Sequence, residues 1–314
     1  MNTKISKNIV RRWAGNPVIS IRDLPFHAND VHNAGAARHE GRYVLLVTIE
    51  NLRGDCSIFR AWSDDGRRFE MDPEPFLAPS LDGPFAEYEG RGVRDARITP
   101  FDDTYYITYL AESEHGFRLG LAETRGFEEV VRVGLISEPD TKNGMLFPRR
   151  IGGRFVRLER PREGGNIWIS YSDDLVHWGG WNVVMTPRNG FWDYDRIGAS
   201  VPPIETECGW LLFYYGVRNL PGGPLFRLGV AFLDLDDPSQ VVARSNVPVL
   251  APHERYERVG DVPNLVFSCG AVLSEDRSEV EIYYGAADSC ICLGTVPVEE
   301  LERTCAAARA AGDD

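Results

Sequence analysis

Gly92-Val-Arg-Asp-Ala-Arg-Ile-Thr99, followed by Thr104-Tyr-Tyr-Ile-Thr-Tyr109, is the stretch on which the fold reading turns. It sets one carboxylate, Asp95, between Arg94 and Arg97. The chain then turns at Pro100-Phe-Asp-Asp103 and enters an aromatic, β-branched run of strong strand propensity. Charges packed this closely against a strand point to a polar site at a sheet end. Taken alone, the stretch reads more readily as a surface Arg/Asp cluster before a hairpin. What favours the site is that the same kind of strand recurs along the chain.

Outward from this stretch, five hairpin-like units follow one another. Gly41–Thr48 precedes Cys56–Trp62 and the turn Ser63-Asp-Asp-Gly66, with His32-Asn-Ala-Gly-Ala36 ahead of them as a small-residue turn. Thr104–Tyr109 precedes Arg118–Ala122 and the turn Thr124–Phe127. Gly153–Leu158 precedes Asn166–Tyr171 and the turn Ser172–Trp178. Gly209–Gly216 pairs with Phe226–Phe232, and Glu279–Gly285 with Ser289–Gly294. Units repeated at this spacing bury their sheet faces by radial packing, which predicts an all-β fold, a five-bladed β-propeller, with residues 1–314 as one domain. A two-sheet sandwich is the competing all-β arrangement. Val298–Ala311, Glu-rich then Ala-rich after Pro297, predicts a short C-terminal helix.

Composition narrows the function. The chain of 314 residues carries a formal net charge of -13, which repels nucleic acid and anionic membranes, so any bound anion needs a local basic pocket. Seven Trp and 12 Tyr suit β structure and sugar-stacking surfaces. The six cysteines contain no C-x-x-C pair, and Cys290-x-Cys292 share a strand face, which reads as buried thiols rather than a metal site. Met1–Arg12 lacks an apolar signal core, and no apolar run is long enough for a membrane span. The expectation is a cytoplasmic protein without metal or cofactor.

Polar clusters flank the strands at Asn33, Arg94–Arg97, Lys142, Glu159-Arg160, Asp195-Arg196, Tyr214-Tyr215 and Asp288. A radial fold gathers such positions at one mouth. Here the chain resembles glycoside hydrolase family 130, the β-mannoside phosphorylases and β-mannosidases. The resemblance rests on Gly92–Ile98, Leu146-Phe-Pro148, Arg160-Pro161, Ser172–Trp178, Arg196–Pro203, Gly209–Gly216, Glu257–Asn264 and Tyr283–Asp288, and it runs from about Asn16 to Asp288. It implies five blades. It also implies that Asp95 is the general acid, acting through a sugar hydroxyl on the glycosidic oxygen. Lys142, Arg160 and Arg196, with Tyr215, then hold inorganic phosphate as co-substrate, and Asn33, Arg60 and Asp288 line the sugar pocket.

The chain departs from the family pattern at three places: Arg94 stands for an acidic residue, Tyr215 for a histidine and Arg196 for a lysine. Arg94 favours the ionised form of Asp95. Because phosphate is itself the nucleophile, one carboxylic acid suffices for inverting phosphorolysis, whereas hydrolysis needs a second carboxylate to activate water. Glu159, Asp193 and Asp195 are the candidates for that base, unless neighbouring arginines pair with them. The expected activity is therefore inverting phosphorolysis of a manno-oligosaccharide to mannose 1-phosphate. An inverting β-mannosidase and a non-catalytic sugar-binding propeller are the alternatives, and homo-oligomerisation is left open.

Overall fold

A computed structural model describes residues 8–310. They form an all-β molecule in which antiparallel meanders follow one another along the chain. The first runs Asp30–His39, Arg42–Glu50, Cys56–Ser63, Glu70–Leu77. The second runs Gly92–Phe101, Thr104–Ser113, Gly116–Thr124, Val131–Leu135. A single parallel contact between Cys56 and Gly92 fuses these two into one eight-stranded sheet, so the hydrogen-bonded sheets number four. The third meander runs Thr141–Leu146, Phe155–Pro161, Ile167–Ser172, Gly179–Met185. The fourth contains Arg196–Ala199, Gly209–Leu220, Gly223–Leu233 and Val241–Arg244. The last contains Val266–Leu273, Glu279–Ala286 and Cys290–Pro297, and its outer edge is filled from the other end of the chain by Arg11–Arg12 and Ile19–Ser20.

The core is divided in the same way. Ala37, Val44 and Leu46 of the first meander meet Val93, Ile98 and Ile107 of the second. Leu119 and Leu121 meet Leu146 and Phe155. Met145, Leu158 and Ile169 meet Ile197, Trp210 and Leu212. Leu211, Phe213 and Val230 meet Val266, Ile282 and Tyr284. Ile282's neighbour Tyr283, with Leu293, then meets Leu45 and Val47 of the first meander. Successive strand residues face opposite sides, so a sheet packed on both faces reads as an unbroken apolar run such as Val44-Leu-Leu-Val47.

Two sequence expectations change. Each hairpin recognised in the sequence is the second and third strand of its meander; the first strand lies just before it. His32–Ala36 is accordingly no turn but the middle of Asp30–His39. Its residues are small because the first strands pack closely on one another. A Cβ on Gly35 would lie 2.6 Å from the Ala96 carbonyl oxygen, and one on Gly270 would lie 2.3 Å from the Ala36 nitrogen.

The turns between third and fourth strands were legible. Ser63, Thr124 and Ser172 hydroxyls accept hydrogen bonds from the backbone N–H groups of Gly66, Phe127 and Leu175, at 2.9, 3.0 and 2.9 Å. The C-terminal helix spans Val298–Ala310, and Ala311 lies outside the described residues. No described helix is long and apolar enough to cross a membrane. All six cysteines are free thiols, and Cys290 and Cys292 sulfurs lie 4.0 Å apart.

Candidate active site

Four of the first strands break register at one place each, and three of these breaks bear on the site: between His32 and Ala34, between Arg94 and Arg97, and between Lys142 and Met145. At each of these three one residue has left-handed backbone: Asn33 (φ 44°), Asp95 (φ 57°) and Asn143 (φ 55°). Asn and Asp tolerate this conformation because their short polar side chains bond locally. A bulge also re-aims the side chain it carries. The three side chains line one cavity of about 620 Å³, together with Asp288, Lys142, Arg160, Arg196 and Tyr215.

Asp95 is held from several directions. Its backbone N–H donates to the Thr48 hydroxyl at 3.0 Å, and the Asn33 amide donates to its carboxylate at 2.8 Å. Its carbonyl accepts from Arg97 at 2.9 Å, while the buried Arg97 also donates to the Ser200 carbonyl at 2.8 Å. Arg94 turns to pair with Glu112. Burial pushes the Asp95 carboxyl upward, but Arg97, Arg94, His32 and the Asn33 bond outweigh it and hold the group below the usual carboxylate range. Asp95 is therefore a carboxylate in the free protein.

Asp288 has the opposite balance. Burial drives its carboxyl up to about 6, with Asp95 and Asp30 adding to the rise against His32 and Arg94. Its Oδ1 is buried without a hydrogen-bond partner among the described residues. His32 sits among these carboxylates, with Nδ1 3.4 Å from Asp30 Oδ1. Burial lowers its affinity for a proton, yet Asp30, Asp288 and Asp95 together raise it above the ordinary histidine value.

The cationic side of the cavity is organised by Asn143. Its side-chain oxygen accepts from Arg160 Nε at 3.3 Å and from the Tyr215 hydroxyl at 3.1 Å. Lys142 lies 5.0 Å from the Phe117 ring centroid and Arg196 lies 5.3 Å from that of Phe226. Burial, and then Arg160, lower the Lys142 ammonium to about 8, with Arg94 and Arg196 adding to the fall and Asp95 opposing it. Arg162 stands at the same cavity. Among the described residues Lys142, Arg160 and Arg196 form no ion pair with a carboxylate, in contrast to Arg157, Arg188 and Arg244.

Seven of the eight site residues expected from the sequence thus meet: Asp95, Lys142, Arg160, Arg196, Tyr215, Asn33 and Asp288. Arg60 does not join them. It pairs with Asp72 at 2.6 Å and donates to the Phe127 carbonyl, so its charge is already committed to holding strands and a turn together. None of the three candidate bases lines the cavity. Glu159 pairs with Arg157, Asp193 with Arg188 and Arg244, and Asp195 accepts from the Asn219 N–H at 2.6 Å. The sequence reading missed His32, Asn143, Phe117, Phe226 and Phe267. Asn143-Gly144 carried a signal, since Asn before Gly marks left-handed backbone. The aromatics carried none. Among the described residues no group of three or more His, Cys, Asp or Glu is placed to hold a metal ion.

A family model described as beta-1,4-mannooligosaccharide phosphorylase matches residues 28–306. The chain belongs to glycoside hydrolase family 130. The family 130 chain is 37% identical over 245 residues to the beta-1,2-mannobiose phosphorylase of Listeria innocua, a match spanning 77% of this chain and 66% of that protein. It is 38% identical over 308 residues to a beta-1,2-mannobiose phosphorylase of Thermoanaerobacter sp., covering 93% of this chain and 98% of the relative. The solved structure of the Listeria innocua enzyme with beta-1,2-mannobiose superposes with a TM-score of 0.86 at 29% identity, over 95% of this chain and 99% of that one. These two relatives are mannoside phosphorylases, and the family places this chain among enzymes acting on mannosides.

Proposed function

We propose that the protein cleaves a β-mannoside with inorganic phosphate, by inversion, to give mannose 1-phosphate, with Asp95 as general acid. The observation that carries this reading is the cavity itself, where two buried carboxyls, Asp95 and Asp288, share a space with three cations that form no ion pair among the described residues. In a protein of net charge -13, such cations are a binding site for an anion. Phosphate held by Lys142, Arg160 and Arg196, with Tyr215 donating, attacks the anomeric carbon. The bond to the leaving oxygen breaks as that oxygen takes a proton from Asp95, directly or through a sugar hydroxyl. The phosphate proton then restores Asp95.

An ionised Asp95 must first gain its proton. A dianion arriving in the cavity offsets the positive charge that depresses the carboxyl, so its acid form is populated in the complex with phosphate. Asn33 and Asp288, beside Asp95, offer hydrogen bonds to the sugar. Glu159, Asp193 and Asp195 are engaged elsewhere, which leaves Asp288 as the carboxylate a hydrolase would use; the three unpaired cations beside it favour phosphate over activated water as nucleophile. The activities of the relatives at 37% and 38% identity support β-1,2-linked mannobiose as the first substrate to try.

We also read the architecture as a single-domain, five-bladed propeller. Five core clusters join consecutive meanders and return from the last to the first, and that supports closure into a ring.

The test is to incubate the protein with β-1,2- and β-1,4-mannobiose, with and without phosphate, and to identify the products. Mannose 1-phosphate formed only with phosphate is the expected result. Free mannose formed equally without phosphate would make the protein a hydrolase.

A further inference from the structure

We infer that a second crevice, on the opposite face of the strands that carry the cationic site, is an accessory binding site for a neutral sugar chain. It encloses about 440 Å³ and is lined by Trp168, Trp178, Trp181, Arg118, Arg157 and Glu159 among others. Lys142 pairs with Arg160 across the first two strands of the third meander, and Thr141 with Pro161 next to them. Side chains alternate along a strand. Arg160 therefore faces the active-site cavity, while Arg157, Glu159 and Pro161 face the crevice.

The crevice is built rather than incidental. Glu159 is buried, accepting from Trp181 Nε1 at 3.0 Å and from Arg157 at 2.6 Å. Arg157, 1% exposed, also donates to the Ile136 carbonyl at 2.5 Å and lies 4.2 Å from the Trp178 ring centroid. Yet Arg157 Nε and Trp168 Nε1 have no hydrogen-bond partner among the described residues. Buried N–H groups are normally paired, and two unpaired donors lining one crevice point to acceptors that arrive with a ligand. Trp181 is 48% exposed at the same place.

Indole faces take the apolar side of a sugar ring, and the donors take its hydroxyls. Glu159 neutralises Arg157, and Glu138 in the same lining offsets Arg118, so the crevice has no surplus charge for an anion, unlike the cavity behind it. Naming the ligand as β-mannan rests on the proposed function; the shape and chemistry of the crevice do not. A mannan chain leaving the active site thereby gains a second hold on the same meander.

The experiment is affinity electrophoresis of the full chain through gels containing soluble β-mannan, with Trp181→Ala and Trp181→Phe alongside. Mannobiose turnover and particle mass by light scattering are measured on each. The wild type should be retarded, and Trp181→Ala should weaken retardation about tenfold, the effect of losing roughly one aromatic contact. Trp181→Phe should restore most of it, with mannobiose turnover and mass unchanged in both. An unretarded wild type, or equal retardation of Trp181→Ala, would overturn the site. So would a change in mass without a change in retardation, which would make the patch a contact between copies. Absence of mannobiose turnover by the wild type would instead count against the proposed function, leaving the gel to judge the crevice.

Discussion

Tyr214 and Tyr215 are neighbours on one strand and serve two different regions. Tyr215 faces the active-site cavity and donates to Asn143. Tyr214 points the other way and donates to Asp193 at 2.9 Å, in a buried knot where Arg188 and Arg244 also reach that carboxylate, at 3.0 and 2.7 Å. In the knot both arginines reach a carboxylate, the one that they share. In the cavity Asp288 keeps a buried oxygen unpaired and three cations keep no carboxylate partner. Charge used for cohesion is closed upon itself, whereas charge used for chemistry is left open on one side. The two can stand side by side because a strand alternates its faces.

The contrast can be broken most sharply at its two carboxylates. Asp95→Asn should lower the rate of mannose 1-phosphate release by about 10²- to 10⁴-fold, the range for a lost general acid, with the circular dichroism spectrum unchanged. A variant retaining a tenth of the activity would remove Asp95 from that role. Asp193→Ala should do the reverse. It leaves Arg188 and Arg244 buried without their partner, costing on the order of 3 kcal/mol in urea unfolding, while activity per folded molecule stays near wild type. Arg160→Ala should raise the KM for phosphate about 30-fold, for a charge-assisted hydrogen bond of about 2 kcal/mol, with little change in urea midpoint. An unchanged phosphate KM would move the anion elsewhere.

The smallest effect is on pH. Lys142 is held at about 8 and is charged below that value. The KM expressed for the phosphate dianion should therefore be flat up to about pH 7 and rise several-fold by about pH 9, as the ammonium gives up its proton. Lys142→Met should have a weakened, pH-flat KM over that interval. Because Lys142 is less basic in the folded chain than in the unfolded one, it should move the urea midpoint oppositely to phosphate affinity, upward as pH rises above about 8.

How much was legible follows from which residues obey strand periodicity. The second and third strands of each meander are buried on both faces, and runs such as Val44-Leu-Leu-Val47 and Trp210-Leu-Leu-Phe213 declared themselves. The first strands did not. Asp30–His39 is small and polar and broken by a bulge at Asn33, so neither propensity nor alternation marks it as a strand. Asp95 and the cations were found through resemblance in motif. Arg60 was misplaced because its partner, Asp72, lies on a separate strand, and only the fold brings the two together. Asn143 shows its left-handed backbone through the glycine after it, but its hold on Arg160 and Tyr215 comes only from the fold, for the same reason.

Finally, the last sheet is completed by a ribbon from near residue 11, laid against Gly294 and Thr295 and clasped where Arg12 meets Glu257 at 2.7 Å. During synthesis that ribbon leaves the ribosome long before its docking edge exists. The latch can shut only after nearly every other strand has been made, so assembly must end on a contact of very high sequence separation, which slows folding. Until then the incomplete edge is open to stray strands, and chaperone dependence should be concentrated in that interval.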